Sequence, residues 1–206
     1  EIKTVTLENG ESLTASTIIL CTGARPRRLG VAGEFELSGR GVSYCATCDG
    51  PFYRNQEIAV VGGGNTAIQD ALHLTKFATR VTVIHRRDEL RATKILQEKA
   101  FCNPRIDFLW NTQVAEIRGD KSGVAELLLR DNSGEESTLK VTGIFVLIGV
   151  MPNSDLLPPE LHTDSGGFVV TDEEMATNLP GVYAAGDIRS KRFRQIINAA
   201  GEGAVA

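Results

Sequence analysis

The spacing of apolar and polar positions changes along the chain. Residues 2–7, Ile-Lys-Thr-Val-Thr-Leu, alternate as in a half-buried strand, and Asn9-Gly10 supplies the signal of a tight hairpin. A short strand near 12–15 and an apolar strand over 17–21 follow. Residues 22–43 are rich in Gly, Pro and Arg and predict irregular structure. From Glu57 the pattern becomes strand, helix, strand, helix. Ile58-Ala59-Val60-Val61 and Val81-Thr82-Val83-Ile84 are continuous apolar runs of the kind buried on both faces of a parallel sheet. Ala67, Ile68, Ala71, Leu72 and Leu74 give residues 65–77 a helical period. Residues 89–101 predict a second helix and 106–110 a third strand. Segments 112–118, 124–130 and 137–142 predict further strands, with Asp131-Asn132-Ser133-Gly134 as a turn, and 144–148 is one more apolar strand. Past the break at 149–153 come short strands at 168–170 and 182–184 and a helical stretch from about Arg194.

Alternation of strand and helix predicts an α/β fold with a Rossmann-like parallel sheet, to which the strands of 112–142 add an antiparallel attachment. The breaks divide the chain into residues 1–27, 28–151 and 152–206, with the middle piece inserted into a domain built from the flanking ones. The chain opens on a strand-like segment and closes at GEGAVA, which reads as a helix; both ends suggest a piece of a longer protein.

Composition narrows the class. The 206 residues are 42% apolar and 23% charged, ordinary for a globular protein. A net charge of −4 argues against nucleic acid or an anionic membrane surface as partner. No apolar run approaches the roughly 20 residues needed to cross a bilayer, and EIKTVTLENG does not look like a signal peptide. Four cysteines in a chain of this length do not make a secreted disulfide scaffold, so the cytoplasm is the expected compartment. Cys21, in an apolar run, and Cys102, ending a helical stretch, are expected to be buried or incidental thiols.

Strand 58–61 runs directly into Gly62-Gly63-Gly64-Asn65-Thr66-Ala67, a G-x-G-x-x-A. Six residues alone are weak evidence, but the motif has the context that it demands: a strand before, an amphipathic helix after and a second strand beyond. Gly62, Gly63 and Gly64 would let a diphosphate approach the backbone, and a helix starting near Asn65 and Thr66 would turn its positive end to that phosphate. The alternative is a Gly-rich turn without a ligand. An NAD site places an acid ~20 residues after the glycines, on the ribose. Here His85-Arg86-Arg87 stands there, with Arg91 expected one turn into the next helix. Guanidinium groups suit a 2′-phosphate, so NADPH is favoured over NADH. A solvated basic loop neutralised by Asp88 and Glu89 is the rival reading.

Cys45 and Cys48 form a C-x-x-C followed by Asp49. A structural zinc site needs four ligands, and the chain offers only Cys21, Cys102 and three scattered histidines besides this pair, so no metal site is expected. A disulfide closing so small a loop removes little chain entropy and makes a poor staple. Reversible dithiol–disulfide exchange is left, with the Asp49 carboxyl placed for proton transfer or, alternatively, only capping a turn.

CATCDG, the G-x-G-x-x-A and HRRDELRA, in that order, resemble the low-molecular-weight thioredoxin reductases, and the resemblance extends along essentially the whole chain. ILCTGARPR resembles the strand and loop leaving that family's flavin domain, which brings in Thr22 and Gly23. VYAAGDIRSKRFRQIINAAGEGAVA resembles its late flavin-binding stretch. The resemblance implies an NADPH-binding domain at 28–151 inserted into an incomplete FAD-binding domain made of 1–27 and 152–206. It implies that Gly186 and Asp187 contact the ribityl–phosphate part of FAD, and that Arg194, Gln195 and Ile196 lie along the isoalloxazine at the start of a helix. It further implies that Cys48 is the thiol nearer the flavin, that Cys45 attacks thioredoxin, that Asp49 supplies the proton, and that the protein is a homodimer. The family's first G-x-G-x-x-G, for the FAD diphosphate, is missing from this sequence, so these residues alone are not expected to hold FAD tightly or to be active. Because thiols and nucleotide loop share one segment, that segment is expected to swing about the links near 23–28 and 149–153. A reductase of a peroxiredoxin or glutaredoxin-like carrier and a non-catalytic NADP(H)-binding redox sensor are the rival functions.

Overall fold

A computed structural model describes residues 2–206. The chain forms β1 (Lys3–Thr6), β2 (Ser12–Ala15), β3 (Ile18–Leu20), β4 (Ala24–Pro26), β5 (Val42–Ser43), α1 (Ala46–Asp49), β6 (Glu57–Val61), α2 (Asn65–Leu74), β7 (Arg80–Ile84), α3 (Lys94–Phe101) and β8 (Ile106–Leu109). It continues through β9 (Thr112–Asp120), β10 (Gly123–Asp131), β11 (Glu136–Lys140), β12 (Gly143–Val146), β13 (Val150–Pro152), β14 (Val182–Ala184) and α4 (Ile196–Val205). Single 3-10 turns follow α1 at Gly50–Tyr53 and β14 at Gly186–Ile188. Two compact units result, Pro26–Gly149 and the pair Glu1–Arg25 with Val150–Ala206.

In the Pro26–Gly149 unit a five-stranded sheet runs in the order β5-β12-β6-β7-β8 with every pair parallel. Alternate residues of its strands face opposite sides. Ile58, Val60, Val81 and Val83 pack with Ala67, Ile68, Ala71 and Leu74 of α2. Ala59, Val61, Ile84, Ile144 and Val146 pack on the other side with Val114, Ile117, Leu127 and Leu129 from the antiparallel sheet β11-β10-β9. Both faces are therefore dry, which is why these strands read as unbroken apolar runs. Each fully buried Ile or Val stabilises the unit by about 1.5–3 kcal/mol relative to exposure.

The other unit is built from small sheets: β1 with β2 antiparallel, β3 with β14 parallel, and β4 with β13. Its core is Leu161, Val169, Val182, Ala184 and Ile188. Val5, Leu13 and Ile19 are exposed, and α4 has no fully buried residue.

Several local expectations need correction. The helix expected over 89–101 begins only at Lys94, so Arg91 lies in the loop before it rather than one turn inside. The Arg91 and Ala92 amides donate to the Gly63 carbonyl, a tertiary acceptor that competes with helix formation. The helix expected over 65–77 ends at Leu74, after which the Lys76 and Phe77 amides close short turns. In place of a strand at 168–170, Val169 alone makes isolated bridges to Thr163 and Arg189. Residues 22–43 contain two short strands, β4 and β5, and the single helical turn α1 was not foreseen. Cys21 and Cys102 are exposed rather than buried.

Candidate redox centre and nucleotide turn

Cys45 caps the N-terminus of α1 in an extended conformation, and Cys45 and Cys48 are joined by a disulfide with their Cα atoms 5.3 Å apart. One helical turn is the spacing that brings two sulfurs of a C-x-x-C together. The sulfur of Cys45 also accepts the Cys48 N–H at 3.2 Å. Cys45 is half-buried and Cys48 exposed. Asp49 closes α1, and its Oδ2 accepts the Ser43 hydroxyl at 2.7 Å. A Cβ on the next residue, Gly50, would stand 3.1 Å from Leu74, which explains a residue without a side chain where α1 meets α2. Tyr44, directly before Cys45, donates its hydroxyl to the buried Glu34 carboxylate at 3.0 Å. Burial, and then the Glu34 charge, push the Tyr44 phenol up to about 12. Among the described residues no group of three His, Cys, Asp or Glu side chains could hold a metal ion.

The glycine turn lies in the same unit. Gly62 has φ +146 and donates to the Ile84 carbonyl; a Cβ there would come within 2.5 Å of the Leu147 carbonyl oxygen. A Cβ on Gly63 would run into the His85 imidazole. Around Gly64, which caps α2, the space is open. The Asn65, Thr66 and Ala67 amides fall in the first turn of α2, where intrahelical acceptors are lacking. Arg86, Arg87 and Arg91 are exposed. His85 is different: it is only 6% exposed, lies under Gly63 edge-on to Trp110, and its Nε2 is buried without a hydrogen-bond partner. Burial lowers its pKa, with the three arginines adding to the effect, so at neutral pH the ring is an uncharged floor for the turn.

In the smaller unit, Gly23, Gly186 and Asp187 line a cavity of about 300 Å³ together with Cys21, Ala185, Ala199 and Gly203. Thr22 Oγ1 and Asp187 Oδ1 are buried with no hydrogen-bond partner, although Lys191 Nζ stands 3.6 Å from the latter. Orphaned polar atoms of this kind fit a polar ligand. The amide of Gly186 is held by Glu202, which also accepts from Lys191 and pairs with Arg189 at 2.8 Å. Neighbouring cations and the Gly186 amide hold the Glu202 carboxyl below its ordinary pKa against the opposing effect of burial. Arg194 does not point outward: its guanidinium lies 3.9 Å over the Phe168 ring and donates to the carbonyls of Asp187, Arg189 and Lys191. Gln195 caps α4 without a side-chain bond, and Ile196 is exposed. Ser43, Glu34 and Glu202 were missed from sequence. A lone acid in the mostly apolar, Gly-rich IINAAGEGAV was the one signal available for Glu202.

A family model for pyridine nucleotide-disulphide oxidoreductases matches residues 1–203. The chain belongs to the pyridine nucleotide-disulphide oxidoreductases. Within that family it is 50% identical to a thioredoxin reductase of Listeria innocua over its whole length and 48% identical to one of Peptoclostridium acidaminophilum. It spans 65% of the first of these relatives and 67% of the second. The crystal structure of thioredoxin reductase from Streptococcus pyogenes superposes with a TM-score of 0.90 at 44% identity, covering all of this chain and 69% of that one.

Proposed function

We propose that the protein is an NADPH-dependent thioredoxin-disulfide reductase carrying FAD, in which residues 28–151 bind NADPH and present the thiol pair while 1–27 and 152–206 contribute to the flavin domain. The observation that carries this reading is the bonded Cys45–Cys48 pair, with a carboxyl held beside it, in the same unit as the glycine turn and its arginines. Thr22, Gly23, Gly186 and Asp187 would hold the flavin, with Arg194, Gln195 and Ile196 near its ring. The flavin, when bound, supplies the two-electron carrier between nicotinamide and disulfide. The residues of the chain do the rest. Gly62, Gly63, Gly64, Asn65 and Thr66 receive the diphosphate, Arg86, Arg87 and Arg91 bind the 2′-phosphate, and His85 supports them from below. Once the Cys45–Cys48 bond has taken up two electrons, Cys45 attacks the thioredoxin disulfide, Cys48 displaces it to restore the protein disulfide, and Asp49 handles the proton. A homodimer in the cytoplasm completes the reading, supported by likeness to bacterial thioredoxin reductases and by the absence, among the described residues, of a helix long and apolar enough to cross a membrane.

The test uses the full-length protein. NADPH oxidation should depend on added oxidised thioredoxin and stop in Cys48→Ser, while NADPH-driven bleaching of the flavin persists. A colourless protein, or turnover only with a glutaredoxin-like or peroxiredoxin substrate, overturns the assignment.

A further inference from the structure

Ser43 ends β5 and is only 3% exposed. A buried hydroxyl needs partners, and this one has two at the redox centre: Oγ accepts the Cys45 N–H at 3.1 Å and lies 2.7 Å from Asp49 Oδ2. Its single proton goes to Asp49, because a carboxylate is the stronger acceptor and the other choice, the Cys45 carbonyl, is 3.4 Å away. The polarity therefore runs from the Cys45 amide through Ser43 to the carboxyl next to Cys48. The two ends of this link differ in rigidity. Ser43 is in register with Phe145 in the parallel sheet, whereas Asp49 ends a helix of four residues, too short to hold its own geometry.

We propose that Ser43 is a positioning residue for the redox centre, tying the Asp49 carboxyl to the sheet so that it stays within proton-transfer reach of Cys48. The inference rests on the reading of Cys45–Cys48 as an exchanging disulfide. In reduction by a small dithiol, the reagent's thiolate bonds to Cys45 Sγ and the Cys45–Cys48 bond breaks. The electron pair leaves on Cys48, which takes the proton that the reagent's first thiol gave to the Asp49 carboxylate on becoming a thiolate. The reagent's second thiol then gives its proton to Asp49 and displaces Cys45, which leaves as a thiolate and takes that proton. The reagent ends as a cyclic disulfide, the protein as a dithiol and Asp49 as a carboxylate again.

The experiment follows that exchange directly. Full-length protein is incubated anaerobically with dithiothreitol, and reduced Cys45 and Cys48 are counted by alkylation and mass spectrometry over time. Ser43→Ala should slow reduction at least fivefold. Asp49→Asn should slow it at least as much, and the double variant should be no slower than Asp49→Asn alone. Ser43→Thr, which keeps the hydroxyl, should stay within twofold of the unaltered protein. Three results would each overturn the proposal: Ser43→Ala within twofold of the unaltered rate, a double variant slowed by the product of the single effects, or Ser43→Thr as slow as Ser43→Ala. The readout needs neither NADPH nor thioredoxin, so it can succeed where the thioredoxin assay fails and fail where that assay succeeds.

Discussion

The side-chain carbonyl of Asn65 accepts the backbone N–H of Thr93 at 2.8 Å. Gly63 makes a matching link, its carbonyl accepting the Arg91 amide at 2.7 Å and the Ala92 amide at 3.1 Å. The glycine turn and the arginine-bearing loop are thereby one piece: a ligand seated on the turn meets arginines already fixed relative to it. Asn65 thus has a use that its place in the G-x-G-x-x-A motif does not suggest.

Asn65→Ala removes the acceptor and leaves the Thr93 amide to water. With a net hydrogen bond worth about 1 kcal/mol, the KM for NADPH should rise roughly fivefold with kcat nearly unchanged. Steady-state kinetics check this, and a fall in kcat with constant KM would remove Asn65 from this role.

Arg86→Ala with Arg87→Ala removes two exposed guanidinium groups at the end of β7. Charge-assisted bonds of about 1.5–3 kcal/mol each predict at least a tenfold rise in the NADPH KM and little change for NADH. The discrimination should also weaken as salt is added, since the groups face solvent. Equal losses for the two nucleotides would mean that the loop is only a solvated basic surface.

Gly63→Ala places a methyl group against the His85 imidazole, which is boxed in by Trp110. Overpacking of this kind costs about 1–3 kcal/mol. The melting temperature should fall by several degrees, and nucleotide affinity should fall with it. Gly64→Ala, with open space around it, should keep the melting temperature close to the unaltered value.

Asp70 on α2 has its pKa pushed up from 3.8 to about 6 by burial. A folded pKa above the unfolded one means that the fold favours the protonated acid, so stability falls as pH rises from about 4 to 6 and the full penalty is present at pH 7. Asp70→Asn should therefore stabilise the protein at pH 7, by about 1 kcal/mol once solvent screening of a half-exposed group is allowed for, and have no effect at pH 4. Thermal melts at both values check it; the same shift at pH 4 and pH 7 would rule out titration as the cause.

Much of the candidate redox site was legible because its residues are local. Cys45, Cys48 and Asp49 lie within one helical turn, and the strand–turn–helix around Gly62 carries its own context. His85 was read with Arg86 and Arg87 as one basic cluster, yet it faces the opposite way. It is the last inward position of the Val81–Val83–His85 alternation, whose period of two was visible but was outweighed by charge. Sequence also carries no sign that the Arg194 guanidinium lies over the Phe168 ring and donates to three carbonyls of its own unit.

From the order of its residues alone, the chain determined a parallel α/β core, an antiparallel addition, a thiol pair and a glycine turn between strand and helix, because each is encoded by neighbours a few positions apart. Tertiary structure decided which polar atoms are paired and which are left waiting. It set Ser43 between Cys45 and Asp49, hung residues 91–93 on Gly63 and Asn65, and gathered Glu202, Lys191 and Arg189 around Gly186. These links join segments far apart in the chain or turn on the direction of a buried side chain, and local periodicity carries no record of either.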